Sequence, residues 1–188
     1  MGGAQHGHMS SIGYDLYCRM LEDTIKLVKG EIDQEPVETT VELKVDAYIP
    51  GEYIRDEVQK IEVYKKIAAV DSYEDMMETQ EELEDRFSNI PASVYNLINI
   101  SYIRSMGKKL GIEEIKERKD EVIFTFESQG RIDENVIKGL LKDYNKKVSL
   151  KISEKPGFGY KLKEVKREEL LSNIKEMMEY MTRIYEQK

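Results

Sequence analysis

The hydrophobic period of this chain changes near residue 111, and that change restricts the folds open to it. Before it, Val94, Leu97, Ile98, Ser101, Met106 and Leu110 follow helical spacing. After it, Val122, Phe124 and Phe126 alternate with Ile123 and Thr125 at period two, the spacing of a half-buried strand. Helices that come first and short strands that come later imply an α+β domain rather than a regular βαβ repeat. Other signals fit. "VELKVDAYIPG" alternates Val41, Leu43, Val45 and Ala47 with polar residues and predicts a strand ended by Pro50-Gly51. Ile54, Val58, Ile61, Ile67 and Ala68 predict a helix to about Val70. Ser72, three residues before Asp75, caps a second helix to about Phe87, and Pro91 opens a third, where its missing N–H costs nothing.

Beyond residue 111, "IEEIKERKDEVIFTFE" predicts two strands around a charged turn, and "DENVIKGLLKDY" a helix. "VSLKI" and "GYKLKEV" predict two more strands flanking the turn "SEKPGF". From about Arg167, Leu170, Ile174, Met177, Met181 and Ile184 form the stripe of a last helix. The expected fold is α+β: N-terminal helices, then a small antiparallel sheet of short strands, then a long C-terminal helix. The methionines of that last helix read more readily as adaptable core than as a binding surface.

The start of the chain belongs elsewhere. "MGGAQHGHMS", residues 1–10, is glycine-rich and precedes any periodic pattern, which reads as a scar of expression cloning. Residues 11–30 place Tyr14, Tyr17, Cys18, Leu21, Ile25 and Val28 on one helical stripe, and the polar, proline-containing residues 31–38 read as a linker. The main domain is expected over 39–188. His6 and His8 are the chain's two histidines, both within the scar. Histidine-based triads and ordinary zinc sites are therefore not expected, and no catalytic residue, metal or cofactor is expected of this chain. One cysteine suits a reducing compartment, and no apolar run reaches the ~20 residues of a membrane span; a cytoplasmic protein is expected.

Two charged regions stand out. Residues 71–86 hold eight acidic residues and one basic, and residues 146–167 hold eight basic and two acidic, within an overall charge of −8. In "EELEDRFSNIP", residues 81–91, helical counting puts Met76, Gln80, Leu83 and Phe87 on one side and Glu78, Glu81, Glu82 and Asp85 on the other. Neighbouring acids on one exposed face share an environment, which opposes the split pKa values of a catalytic pair, and no glycine loop folds them around a cation. Two readings stand: a solvated face, or a surface for a basic partner. Repulsion at i, i+3 and i+4 costs a few tenths of a kcal/mol per pair, and within the helix Arg86 alone relieves it. In the basic hairpin, Lys146, Lys147, Lys151, Lys161 and Lys163 could meet phosphates, with Phe158 or Tyr160 stacking on bases. Alternating lysines also protect sheet edges from aggregation.

Several stretches together resemble one family, the C-terminal domain of bacterial transcription-repair coupling factors. They are "GYDLYCRMLEDTIKLVKGE" at 13–31, "AYIPGEYI" at 47–54, "YKKIA" at 64–68, "EELEDRFSNIP" at 81–91 and "KKLGI" at 108–112. The E-L-x-D-R-F-x-x-x-P string is the most specific. The resemblance implies a parent that is an ATP-driven translocase on double-stranded DNA, displaces stalled RNA polymerase at lesions and recruits excision repair through UvrA. It implies that residues 11–30 are the terminal helix of the preceding motor domain. It further implies that residues 39–188 form a non-catalytic regulatory domain, docked on the N-terminal UvrB-like module of the same chain and covering the UvrA-binding surface. The motor's nucleotide-binding motifs are absent from this sequence, so no ATP hydrolysis is expected of it. Carried onto this chain, the family's acidic string falls on Glu82, Leu83 and Asp85, followed by Arg86 and Phe87. Glu82 and Asp85, flanked by Glu78, Glu81 and Arg86, would then accept charge-assisted hydrogen bonds from arginines of that module. Ser88 stands where similar proteins often have a glycine.

Overall fold

The computed structural model describes residues 37–127 and 133–187. The scar expected at 1–10, the helix expected at 11–30 and residues 31–36 of the expected linker lie outside the described residues. Two units make up the described chain, Lys44–Tyr102 and, together, Val37–Leu43 with the residues from Ile103 onward.

The first unit is helical. The N–H groups of Tyr53 and Ile54 donate to the Pro50 carbonyl at 3.0 and 3.2 Å, closing the turn that follows Pro50-Gly51. Helix α1, Glu57–Ala68, begins at Asp56, whose carboxylate accepts the Gln59 N–H at 2.8 Å and satisfies one donor that the helix start leaves open. It buries Val63 and Ile67, an i,i+4 pair, whereas Val58 and Ile61 are 65% and 48% exposed. The expected stripe through Ile54, Val58 and Ile61 is therefore out of phase. Ile54 is buried, but it precedes the helix and cannot set the helix's rotation.

Helix α2, Tyr73–Phe87, has a reciprocal cap. Ser72 Oγ accepts the Asp75 N–H at 3.0 Å, and Asp75 Oδ2 accepts the Asp71 N–H at 3.1 Å. Its buried side chains are Met76, Thr79 and Leu83. It ends at Ser88 with φ 69° and ψ −156°, backbone that belongs almost wholly to glycine. Helix α3, Ala92–Leu110, follows Pro91, whose carbonyl accepts the N–H groups of Val94 and Tyr95. Buried Ser101 ties it to α1 by donating Oγ–H to the Ile67 carbonyl at 2.7 Å. Gly111, φ 71°, follows its last residue, as the C-terminal glycine rule expects.

The second unit is a five-stranded sheet with two helices. Its strands are β1 (Thr40–Glu42), β2 (Ile112–Glu117), β3 (Glu121–Phe126), β4 (Val148–Lys151) and β5 (Gly157–Lys161), in the order β1-β2-β3-β5-β4. All neighbours are antiparallel except β1, which runs parallel to β2, so the α+β class holds with a mixed sheet. The strand expected over 41–47 shortens to three residues. Val41, Leu43 and Ala47 are buried as the alternation suggested, but only Thr40–Glu42 finds ladder partners.

The turn "SEKPGF" ends earlier than expected, because Gly157 and Phe158 already belong to β5. A Cβ on Gly157 would lie 2.2 Å from the Phe124 carbonyl oxygen, so glycine admits the close approach of β3. The later part of "GYKLKEV" leaves the sheet, with the Val165 N–H turning back to the Leu162 carbonyl at 3.0 Å. Register puts Val122 opposite Tyr160 and Phe124 opposite Phe158. These side chains face the core, and the Phe124 and Phe158 rings stack at 4.6 Å. Ile123, Thr125, Gly157, Gly159, Lys116 and Glu114 belong to the other face, where ion pairs such as Lys151–Glu121 at 2.6 Å replace apolar packing.

Helix α4, Glu134–Asp143, is capped by Asp133 and buries Val136 and Leu140. Helix α5, Leu170–Glu186, follows a short 3-10 turn at Arg167–Glu169 and buries Met177, Met178 and Met181 completely, which settles those methionines as core. Arg167 grips Glu117 of β2 through its terminal guanidinium nitrogens, Nη1 donating to Oε1 at 2.5 Å and Nη2 to Oε2 at 2.9 Å. The carboxylate and its hydrogen bonds push the Arg167 pKa up against the opposing effect of burial. Among the described residues no helix is long and apolar enough to cross a membrane.

Candidate functional site

Helix α2 carries the acidic region, and its buried face decides which acids reach solvent. With Met76, Thr79 and Leu83 turned inward, Glu74, Glu78, Glu81 and Asp85 are all exposed. At about 100° per residue these four fall within about 60° of one another, a single line along the helix. None of the four makes an ion pair among the described residues. Glu74 was not among the residues singled out from the sequence. It is one turn before Glu78, and carrying the helical count back to the first turn would have found it.

Glu82 lies on the flank of that line and is engaged within the unit. Its two oxygens are divided: Oε1 accepts Arg86 Nη1 at 3.0 Å, and Oε2 pairs with Lys66 of α1. Lys66 is a second source of charge relief that the helical count could not reveal, since it lies sixteen residues away on another helix. The remaining acids of the helix have assigned partners. Asp75 caps the helix start, and Glu84 Oε1 accepts the Tyr95 hydroxyl of α3 at 2.8 Å, a bond that raises the Tyr95 pKa.

Leu83 is fully buried, as expected, but Phe87 is only half-buried. Its ring stands 5.8 Å from that of Tyr53, and the Arg86 guanidinium lies 4.9 Å from its centre. Tyr53 in turn donates toward the Leu83 and Ser88 carbonyls at 3.3 and 3.4 Å, which fixes the end of α2 where glycine-like backbone would otherwise be loose. Arg86 is thus held by Glu82 on one side and the Phe87 face on the other. The result is an acidic surface of four open carboxylates with a fifth, Glu82, oriented beside them. It offers hydrogen-bond acceptors and negative charge. Among the described residues no three histidine, cysteine, aspartate or glutamate side chains converge as a metal site requires.

The basic residues of the hairpin are less concentrated than the sequence count suggests. Lys146, Lys147, Lys161 and Lys163 are exposed, while Lys151 is half-buried and paired with Glu121. Lys161 Nζ donates to the Lys146 carbonyl at 3.4 Å. Phe158 and Tyr160, the rings expected to stack on bases, are 0% and 1% exposed. They face the core because the register sets them opposite Phe124 and Val122, so neither presents a ring face to a nucleic acid.

Comparison with known proteins bears on both regions. Residues 43–137 match the family model described as TRCF domain. Over 153 residues the chain is 36% identical to the transcription-repair-coupling factor of Bacillus subtilis (strain 168), which covers 80% of this chain and 13% of that protein. It is 37% identical over 124 residues to the protein of the same name from Staphylococcus haemolyticus (strain JCSC1435), covering 65% and 11% respectively. The chain therefore spans only about an eighth of the length of these relatives. A solved structure described as the C-terminal domain of transcription-repair coupling factor superposes with a TM-score of 0.73 at 27% identity, covering 80% of this chain and 96% of that one.

Proposed function

This chain belongs to the TRCF domain family of transcription-repair coupling factors, and from that premise we infer that it is a non-catalytic regulatory domain whose acidic helix docks on the UvrB-like module of its parent. The observation that carries the inference is the line of exposed, unpaired carboxylates on α2, Glu74, Glu78, Glu81 and Asp85, beside the oriented Glu82. Four like charges aligned at i+3 and i+4 repel one another, and a partner presenting arginines would turn that repulsion into charge-assisted hydrogen bonds. Asp85 is the open member of the family's E-L-x-D string. Glu82 is the member already held in place, so its carboxylate is oriented before any partner arrives.

In this reading the parent is an ATP-driven translocase on double-stranded DNA that acts on stalled RNA polymerase, and the docked domain covers the surface that recruits UvrA. Docking holds the motor in a repressed state, and release exposes the repair site. A contact of this kind biases a two-state equilibrium, so a loss of about 2 kcal/mol shifts the closed population by about thirtyfold. Replacing Glu82 and Asp85 together by alanine in the full-length protein is expected to raise basal ATPase activity and UvrA binding. A folded double mutant with both unchanged removes the proposal.

A further inference from the structure

Within the second unit, a cavity of about 370 Å³ opens beside the end of α4, the start of β4 and one face of α5. Tyr160 of β5 lines it while being 1% exposed, and its hydroxyl has no hydrogen-bond partner among the described residues. Among the described residues Asn99 Oδ1 alone is a fully buried side-chain polar atom without a partner, so the Tyr160 hydroxyl reaches solvent, and it does so in the cavity. Burial first, then the neighbouring Tyr144 and Glu176, raises the Tyr160 pKa, so the group keeps its proton and can donate at neutral pH.

The surrounding groups indicate what the hydroxyl would donate to. Lys147 and Arg183 line the same cavity, and neither is ion-paired to a carboxylate among the described residues. Lys147 Nζ lies 5.9 Å from the centre of the Tyr144 ring, and the Arg183 charge acts on both Tyr144 and Tyr180. Asn173 adds a side-chain amide. Of the two carboxylates in the wall, Asp143 already accepts the Tyr180 hydroxyl at 2.5 Å, and Glu176 remains as an acceptor. The cavity therefore offers two cations, a hydroxyl and an amide to negative oxygens, and one carboxylate to a donor on the same ligand.

We propose that this cavity binds an oxyanion that carries an adjacent hydrogen-bond donor, with its charge between Lys147 and Arg183 and an oxygen on the Tyr160 hydroxyl. Hydrogen phosphate meets that description through its own O–H, and an acidic peptide meets it through a side-chain carboxylate and a backbone N–H. The proposal is independent of the acidic helix, which lies in the other unit.

The 188-residue chain is titrated with inorganic phosphate and, separately, with a blocked tri-glutamate peptide, and the ring signals of Tyr144 and Tyr160 are followed by NMR. A saturable shift with either probe, weakened about tenfold by Tyr160→Phe and by Arg183→Gln, supports the site, and the probe that saturates identifies the oxyanion's source. Tyr160→Phe is expected to melt no lower than the wild type, because the hydroxyl it removes has no protein partner. Absence of saturation with both probes at roughly ten millimolar, which excludes any affinity better than a few kcal/mol, overturns the proposal. So do equal affinities in both variants, which would mark an adventitious ion only. A clear loss of stability in Tyr160→Phe also overturns it, by showing that the hydroxyl is already satisfied.

Discussion

Arg86 donates to Glu82 at 3.0 Å across one turn of α2, while Asp85, one residue before Arg86, is exposed and unpaired among the described residues. The two acids of the family's string therefore play different parts. Glu82 is oriented by Arg86 and Lys66, and Asp85 is open to a partner.

That difference predicts opposite balances between stability and binding. Glu82 and its two basic neighbours are each more than a third exposed or close to it, so their ion pairs contribute modestly. Glu82→Gln should lower unfolding stability by about 0.5 kcal/mol, and Asp85→Asn should leave it unchanged within about 0.3 kcal/mol. Urea denaturation of the isolated chain measures both. The like-charge repulsion along Glu74, Glu78, Glu81 and Asp85 further predicts that Glu78→Gln is neutral or slightly stabilising here.

Ser88 holds φ 69° and ψ −156° at the end of α2. A side chain in this region costs about 1–3 kcal/mol, against about 0.5–1 kcal/mol of extra chain entropy that glycine loses on folding. Ser88→Gly is expected to stabilise the chain by about 1 kcal/mol. A thermal midpoint that falls would show that the Tyr53 contact to the Ser88 carbonyl depends on serine.

Gly157 and Gly51 make a matched pair. A Cβ at Gly157 would meet the Phe124 carbonyl oxygen at 2.2 Å, whereas at Gly51 nothing lies within 4 Å. Gly157→Ala should cost about 2–3 kcal/mol by forcing β3 and β5 apart, and Gly51→Ala should cost little. The comparison by chemical denaturation also tests the placement of Gly157 in β5.

How much of this was legible in the sequence follows from the physics of each element. Helices α2 and α3 were found because caps at Ser72 and Pro91 and long buried stripes reinforce one another. Helix α1 was found with the wrong face, because its exposed Val58 and Ile61 mimic a core stripe that only packing can refute. Strand β5 was cut short because glycine and proline usually signal a turn, and the need for glycine there comes from the Phe124 carbonyl, thirty-three residues earlier in the chain. The acidic surface was visible as a pattern on one helix. Its division into open and engaged members depends on Lys66, which no local spacing connects to Glu82.

Tyr180 gives a pH dependence. Partial burial and then the hydrogen bond to Asp143 raise its pKa from 10.0 to about 12. The folded state holds this proton more tightly than the unfolded state, so the associated stability is fully present below about pH 10 and is lost as pH rises toward 12. Tyr180→Phe should lose some stability at neutral pH and show a shallower decline across that window. Tyrosinate absorbance followed alongside unfolding measures both.

The most direct test of the acidic surface is binding between this chain and the separately prepared UvrB-like module of its parent. Isothermal titration of the wild type against the Glu82→Ala/Asp85→Ala double mutant is expected to show affinity reduced about thirtyfold, equivalent to about 2 kcal/mol, with steep weakening by added salt. Equal affinities for the wild type and a folded double mutant, or no binding by the wild type at low salt, would contradict the account.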